Sequence, residues 1–452
     1  MKRASSFWGK HRFAIISMVF LFLSFSINIF GLGDSPRWFY EFQKDSSFLV
    51  EKVSLCKGEQ RYYSGILNYS SIETRGSTSC KEQDNVPYAP QFGLQARTIS
   101  FFSPGDKERL SGYFSLVSIT LAALSALVVA LIVLRTRQLF GTTPAVALLI
   151  GACLSPWLAV YAHNMYWIFV VSIAPFATVY CYYPWFKQRK LIWLMYAAIF
   201  LILLMKLLSG YEHIVTIVFS VMAGLTLYEY RGFRKTWGRL LVKYLTVGIV
   251  AVLAFVCAIG INVVGLNEYY GTTEKSITAI RGRADARGIE QITKLQPDVL
   301  VGLEYTLPDV YQALEQYMGI SQLRDGKAHP AYYAVLSTLN YGLLPALNYP
   351  VRSTGILWTI LQSIGFLAIL GFIASIKVAQ QKKQRDYSSL AAMVVSLLGA
   401  LGWLVLMPGH TYPHAHLNAI VFYLPFLLLC YIEIGRYAAI LIDRIKLHAT
   451  TK

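Results

Sequence analysis

The sequence predicts an all-α polytopic membrane protein of about ten transmembrane helices with two large outer loops, and three observations lead there. Only 14% of the 452 residues are charged, whereas 55% are Ala, Val, Ile, Leu, Met, Phe, Trp, Tyr or Cys. A soluble globular chain carries about 25% charged residues, so an ordinary cytosolic enzyme is excluded. Apolar runs near the ~20 residues that cross ~30 Å of hydrocarbon recur from residue 13 almost to the C-terminus. Lysine and arginine crowd into alternate connectors.

The runs place spans at 13–32, 112–134, 143–162, 165–184, 190–209, 213–229, 243–264, 354–376, 388–407 and 417–435. The first opens as MKRASSFWGKHR followed by IISMVFLFLSFSINIFGLG, which has the outline of a signal peptide. Its apolar core exceeds the usual 7–15 residues and no Ala-x-Ala-like site follows, so a retained helix is expected. With residues 1–12 cytoplasmic, the connectors on that side hold 22 Lys and Arg against four acids. The outer loops are balanced, with 10 basic and 10 acidic residues in 33–111, and 8 and 9 in 265–353. The net charge of +17 is therefore the positive-inside pattern rather than a nucleic-acid-binding face. Both termini, the second from Arg436 onward, are expected in the cytoplasm.

Each outer loop is too long for a connector. In 33–111, Cys56 and Cys80 would close a loop of about 25 residues as a disulfide in an oxidising compartment. The other four cysteines, Cys153, Cys181, Cys257 and Cys430, fall in spans and are expected to pack as small hydrophobes. Asn68-Tyr69-Ser70 fits a glycosylation sequon, a pattern common by chance. RWFYEFQKDSSFLVEKV (37–53) and GLEYTLPDVYQALEQYMGI (302–320) mix apolar and charged residues as helices in the membrane interface do, or as parts of a small folded cap.

Polar groups at membrane depth are costly and usually functional. KLLSGYEH (206–213) sets Lys206 about a turn inside the outer end of its span, followed by Tyr211 and Glu212. Lys206 reads as an anion-binding group or as a lysine snorkelling outward. MPGHTYPHAHLN (407–418) gathers His410, His414 and His416 at another outer junction. Binding an anionic or sugar ligand, structural packing and a zinc site all remain open there, although no Cys or carboxylate stands nearby. SPWLAVYAHNMYW (155–167) puts His163 and Asn164 at a hairpin tip. Asp34, in GLGDSPRW, stands where the first span leaves the membrane, as a turn residue or a reactive acid.

This layout resembles the GT-C superfamily of integral-membrane glycosyltransferases. The likeness rests on the first outer loop with interfacial helices, the acid after the first span, and the segments NMYW, KLLSGYEH and GHTYPHAHLNAIVFYLPF. In size and layout the chain is also similar to the serotype-converting O-antigen glucosyltransferases. The resemblance implies an inverting transfer of a monosaccharide from polyprenyl phosphate to a cell-surface glycan or lipid-linked acceptor, at the outer face of a bacterial inner membrane. It implies Asp34 as base with Glu41 in reserve, although members often show paired acids where this chain has Asp34-Ser35. Lys206, Arg281, Arg283, His410, His414 and His416 would stabilise the leaving phosphate, and Tyr211, Glu212 and Asn164 would line the sugar. Neither a cofactor nor a metal follows from this chemistry. An O-antigen polymerase or ligase, suggested by IRGRADARG (280–288), and a lipid-linked-sugar flippase are the competing readings.

Overall fold

The computed structural model describes residues 2–27, 54, 87, 89, 91–104, 106–166, 168–230, 233–285, 364–381, 387–406 and 420–450. Of these, 89% are helical and none lies in a strand. The helices are α1 (Lys2–Ile27), α2 (Leu94–Phe102), α3 (Lys107–Phe140), α4 (Thr142–Cys153), α5 (Pro156–Ala162), α6 (Phe169–Gln188) and α7 (Ile192–Ser209). They continue with α8 (Ile214–Glu229), α9 (Phe233–Tyr270), α10 (Thr273–Asp285), α11 (Ile364–Gln381), α12 (Ser388–Leu406) and α13 (Phe426–Thr450).

Among the described residues, five stretches are long and apolar enough to cross a membrane: Glu108–Phe140, Phe169–Gln188, Ile192–Ser209, Trp237–Tyr270 and Ile364–Gln381. Four shorter apolar helices accompany them, Arg12–Ile27, Thr142–Cys153, Ile214–Glu229 and Ser388–Trp403. The expected count of ten spans also takes in residues 28–32, 354–363 and 407–419, which lie outside the described ones.

Helix boundaries follow caps rather than hydropathy. Asp106 accepts a hydrogen bond from the Glu108 amide at 3.0 Å, which starts α3 five residues before its apolar run. Gly141, at φ 98°, ends it. At 34 residues, α3 is about 51 Å long. At 38 residues, α9 reaches about 57 Å and runs into the segment expected to open the second outer loop.

The span expected at 143–162 is instead broken into α4 and α5. Pro156 has no amide to donate and biases Ser155 to an extended backbone. Ser155 adopts one, φ −86° and ψ 115°, and its hydroxyl accepts from the Leu158 amide at 3.2 Å as a new cap. The span expected from 165 starts at Phe169, after left-handed Ile168. Pro175 and Pro184, by contrast, are carried inside α6.

Small residues let the helices approach. α12 packs along α8, where a Cβ on Gly399 would overlap that of Phe219, and Thr216 donates to the Gly399 carbonyl at 3.1 Å. α13 lies between α11 and α4; a Cβ on Gly371 would stand 2.7 Å from Cys430 Sγ, and one on Gly435 2.6 Å from Pro144 Cα. Close backbone approach of this kind substitutes for the hydrophobic effect, which lipid does not supply between helices. Cys153 and Cys430 are buried as expected, but Cys257 is exposed, on the outward side of α9.

A second apolar cluster sits at one end of the bundle. There Ala96 and Ile99 of α2 meet Leu110 and Phe114 of α3, Met165, and Leu266 of α9.

These approaches set an expectation for stability. Gly435→Ala lowers it by about 1–3 kcal/mol through overpacking. Gly248→Ala, with nothing within 4 Å of the added methyl, leaves it unchanged or slightly raised. Thermal unfolding of the detergent-solubilised variants checks both.

Candidate functional site

The end of α7 carries Lys206 within an apolar run, and its surroundings are polar. α7 stops at Ser209 because Gly210 turns the chain at φ 154°. A Cβ at Gly210 would overlap Glu212 Oε2 and lie 2.6 Å from Gln91 Oε1. Glycine is thus needed there both for its backbone angle and for space.

The turn folds Glu212 back over the helix end. Lys206 Nζ donates to the Gly210 carbonyl at 3.0 Å and lies 3.7 Å from Glu212 Oε2, with side-chain exposures of 2% and 5%. Lys206 therefore does not snorkel; it is a buried ammonium balanced by a buried carboxylate. His213, left-handed at φ 63°, then starts α8, and its ring meets that of Trp403 edge-on at 5.3 Å.

Two glutamines close the layer. Gln95 Nε2 bridges the Ser209 carbonyl at 2.7 Å and the Tyr166 carbonyl at 3.2 Å. Gln91 Nε2 donates to the Tyr166 hydroxyl at 3.0 Å. Both glutamines are buried, and neither Oε1 has a hydrogen-bond donor among the described residues. Such acceptors, beside a carboxylate, suit a ligand rich in O–H or N–H groups. Gln91 and Gln95 were not singled out by sequence reasoning. Gln91 precedes α2 and Gln95 lies in its first turn, so the only signal in the sequence is a pair of uncharged polar residues among apolar neighbours.

Asn164 fixes the adjoining hairpin. Its Oδ1 accepts from the Tyr166 amide at 2.9 Å, the local turn geometry that asparagine favours. His163 Nδ1 pairs with the Ala159 carbonyl at 2.7 Å, so that nitrogen carries the proton. Burial pushes the pKa of His163 down to about 4, against backbone hydrogen bonds at Ala159 and Phe25 that favour protonation. The Phe25 contact also brings the end of α1 to this end of the bundle. Asn262 of α9 arrives there too, donating to the Ala89 carbonyl at 2.9 Å. The Tyr211 ring meets Phe255 of α9 edge-on at 5.6 Å.

Of the residues singled out from the sequence, Lys206, Tyr211 and Glu212 are adjacent, and Asn164 joins them through Tyr166. Arg281 is exposed on α10. IRGRAD is helical through Asp285. Asp34, Glu41, Cys56, Cys80, His410, His414 and His416 lie outside the described residues. Among the described residues no group of three or more His, Cys, Asp or Glu is placed to hold a metal ion.

No known protein-family model, no curated protein and no solved structure matches the chain.

The ion pair makes a double-mutant cycle informative. Lys206→Met and Glu212→Gln should each cost about 3–5 kcal/mol by leaving an uncompensated buried charge, and the double variant should recover much of that loss. Unfolding in detergent measures the coupling. His163 sets a pH dependence: its folded pKa is below the usual 6.5, so the unfolded chain binds the extra proton first. Stability should fall as pH drops from 6.5 toward 4, by an amount on the order of 3 kcal/mol. His163→Gln should flatten that slope in a pH series of melting curves.

Proposed function

We propose that the chain is an inverting glycosyltransferase of the GT-C type, one that takes a monosaccharide from polyprenyl phosphate at the outer face of a bacterial inner membrane. The Lys206 end of the bundle would face outward, with both termini in the cytoplasm. The acceptor would be a cell-surface glycan or a lipid-linked one.

One observation carries this reading: α1 and α12, which precede two of the separate reactive segments, end near the Lys206–Glu212 layer, and α9, which precedes a third, passes it. α1 arrives through Phe25 at His163, and Asp34 follows Ile27 by seven residues, at most about 25 Å of chain. α12 arrives through Trp403 at His213, and His410 follows Leu406 by four residues. α9, which leads into Arg281 and Arg283 on α10, arrives through Asn262 at Ala89.

In the proposed reaction Asp34, or Glu41, accepts the proton of the acceptor hydroxyl as its oxygen attacks the anomeric carbon. The bond from that carbon to the phosphate oxygen breaks, the configuration inverts, and polyprenyl phosphate leaves. Because Glu212 already balances Lys206, the added negative charge falls mainly to Arg281, Arg283 and the histidines at 410, 414 and 416. Gln91, Gln95, Asn164, Tyr211 and Glu212 offer acceptors for sugar hydroxyls.

A lipid-linked-sugar flippase is the second reading, favoured by the broken α4–α5 segment, since discontinuous helices are a transporter feature.

The test is transfer of a labelled sugar from polyprenyl monophosphate by the protein in nanodiscs. Asp34→Asn or Glu41→Gln should lower transfer by about 10²–10⁴-fold with normal expression. Full activity in both variants, or use of polyprenyl pyrophosphate oligosaccharides alone, would overturn the proposal. Lipid movement without any glycosyl product would favour the flippase.

A further inference from the structure

At the end of the bundle opposite Lys206, a second buried carboxylate is organised differently. Glu229 closes α8 and is 8% exposed. Its Oε1 lies 2.6 Å from Lys187 Nζ of α6 and 3.3 Å from Lys243 Nζ of α9. The Tyr183 hydroxyl donates to the same oxygen and accepts from Lys243. Two ammonium groups from separate helices are thus fixed on one oxygen, no more than about 6 Å apart, with one negative charge between them.

The surplus charge faces outward. The Lys187 side chain is 59% exposed and that of Lys243 22%, and Arg239, one turn before Lys243, is exposed as well. Half-exposed Trp185 lies on the same helix as Lys187, with the Arg189 guanidinium 5.3 Å from its ring. Further along α9, Leu241, Val242 and Leu245 present an exposed apolar surface. A cationic pair with exposed aliphatic side chains on the same helix, α9, matches one chemistry, an anionic phosphate attached to acyl chains.

We infer that Lys187 and Lys243, held by Glu229, form a binding site for the phosphate headgroup of an anionic phospholipid. A lysine in a loop is free and solvated; these two are pre-placed by a shared carboxylate, so little ordering remains to be done when a phosphate arrives. The apolar flank of α9 distinguishes a lipid from free phosphate. The site involves no residue of the Lys206 end, so it stands or falls apart from the transferase proposal.

Native mass spectrometry of the full chain in a neutral detergent provides the test, with phosphatidylglycerol, phosphatidylcholine and inorganic phosphate as probes. Phosphatidylglycerol should be retained selectively. Its apparent affinity should fall about fivefold in Lys187→Gln, and at least as far in the Lys187→Gln, Lys243→Gln, Glu229→Gln triple variant, which also loses the carboxylate that holds the lysines in place. Lys187→Gln keeps Lys243 opposite Glu229, so it remains informative if the triple variant does not fold. Lys187→Arg should keep the affinity. Equal retention of the two lipids, undiminished binding in Lys187→Gln, or inorganic phosphate displacing phosphatidylglycerol at millimolar concentration would each overturn the inference.

Discussion

Helix α8 is short, and the consequences run through the molecule. Its 16 residues rise about 24 Å, less than the ~30 Å of a hydrocarbon core. Glu212 lies just before it and Glu229 at its end, so both carboxylates are drawn into the bundle rather than into water. A lone ionised carboxylate at that depth is costly enough that a partner is obligatory. Lys206 of α7 meets one end at 3.7 Å; Lys187 of α6 and Lys243 of α9 meet the other at 2.6 and 3.3 Å. Three neighbouring helices are thereby tied to the two ends of α8, and their relative height along the bundle is specified by charge as well as by packing.

Much of this organisation was readable from the residues, and the parts that were not share a cause. Composition and run length placed the apolar helices, because hydrocarbon thickness acts on every span in the same way. Helix ends depend instead on single residues: Asp106 extends α3, Gly141 stops it, and Ser155-Pro156 splits one apolar run into α4 and α5. The Ser-Pro pair was visible in the sequence, yet hydropathy averaged over 20 residues passes across it.

The Lys206–Glu212 contact escaped notice for a related reason. Six residues apart, the two would diverge on a continuous helix, and they meet because α7 ends at Ser209 and Gly210 reverses the chain. Gln91 and Gln95 were harder still. They come from a segment 115 and 111 residues before Lys206 in sequence, and only tertiary packing of α2 against the end of α7 makes them neighbours. The exposed thiol of Cys257 likewise depends on which side of α9 is covered, something an apolar stretch does not disclose by its composition.

The two carboxylates also define an asymmetry between the ends. At the Lys206 end the pair is sealed, one positive charge against one negative, with the amide oxygens of Gln91 and Gln95, which have no donor among the described residues, beside it. A neutral, acceptor-rich layer of this kind favours ligands that donate hydrogen bonds and offers little to a free anion. At the Glu229 end two lysines share one acid and remain partly open, which favours an anion. On the transferase reading, this assigns tasks within the reactive end: the buried layer would recognise the sugar through its hydroxyls. The phosphate would have to be met by cations outside that layer, because the one buried ammonium there is already matched by its own carboxylate.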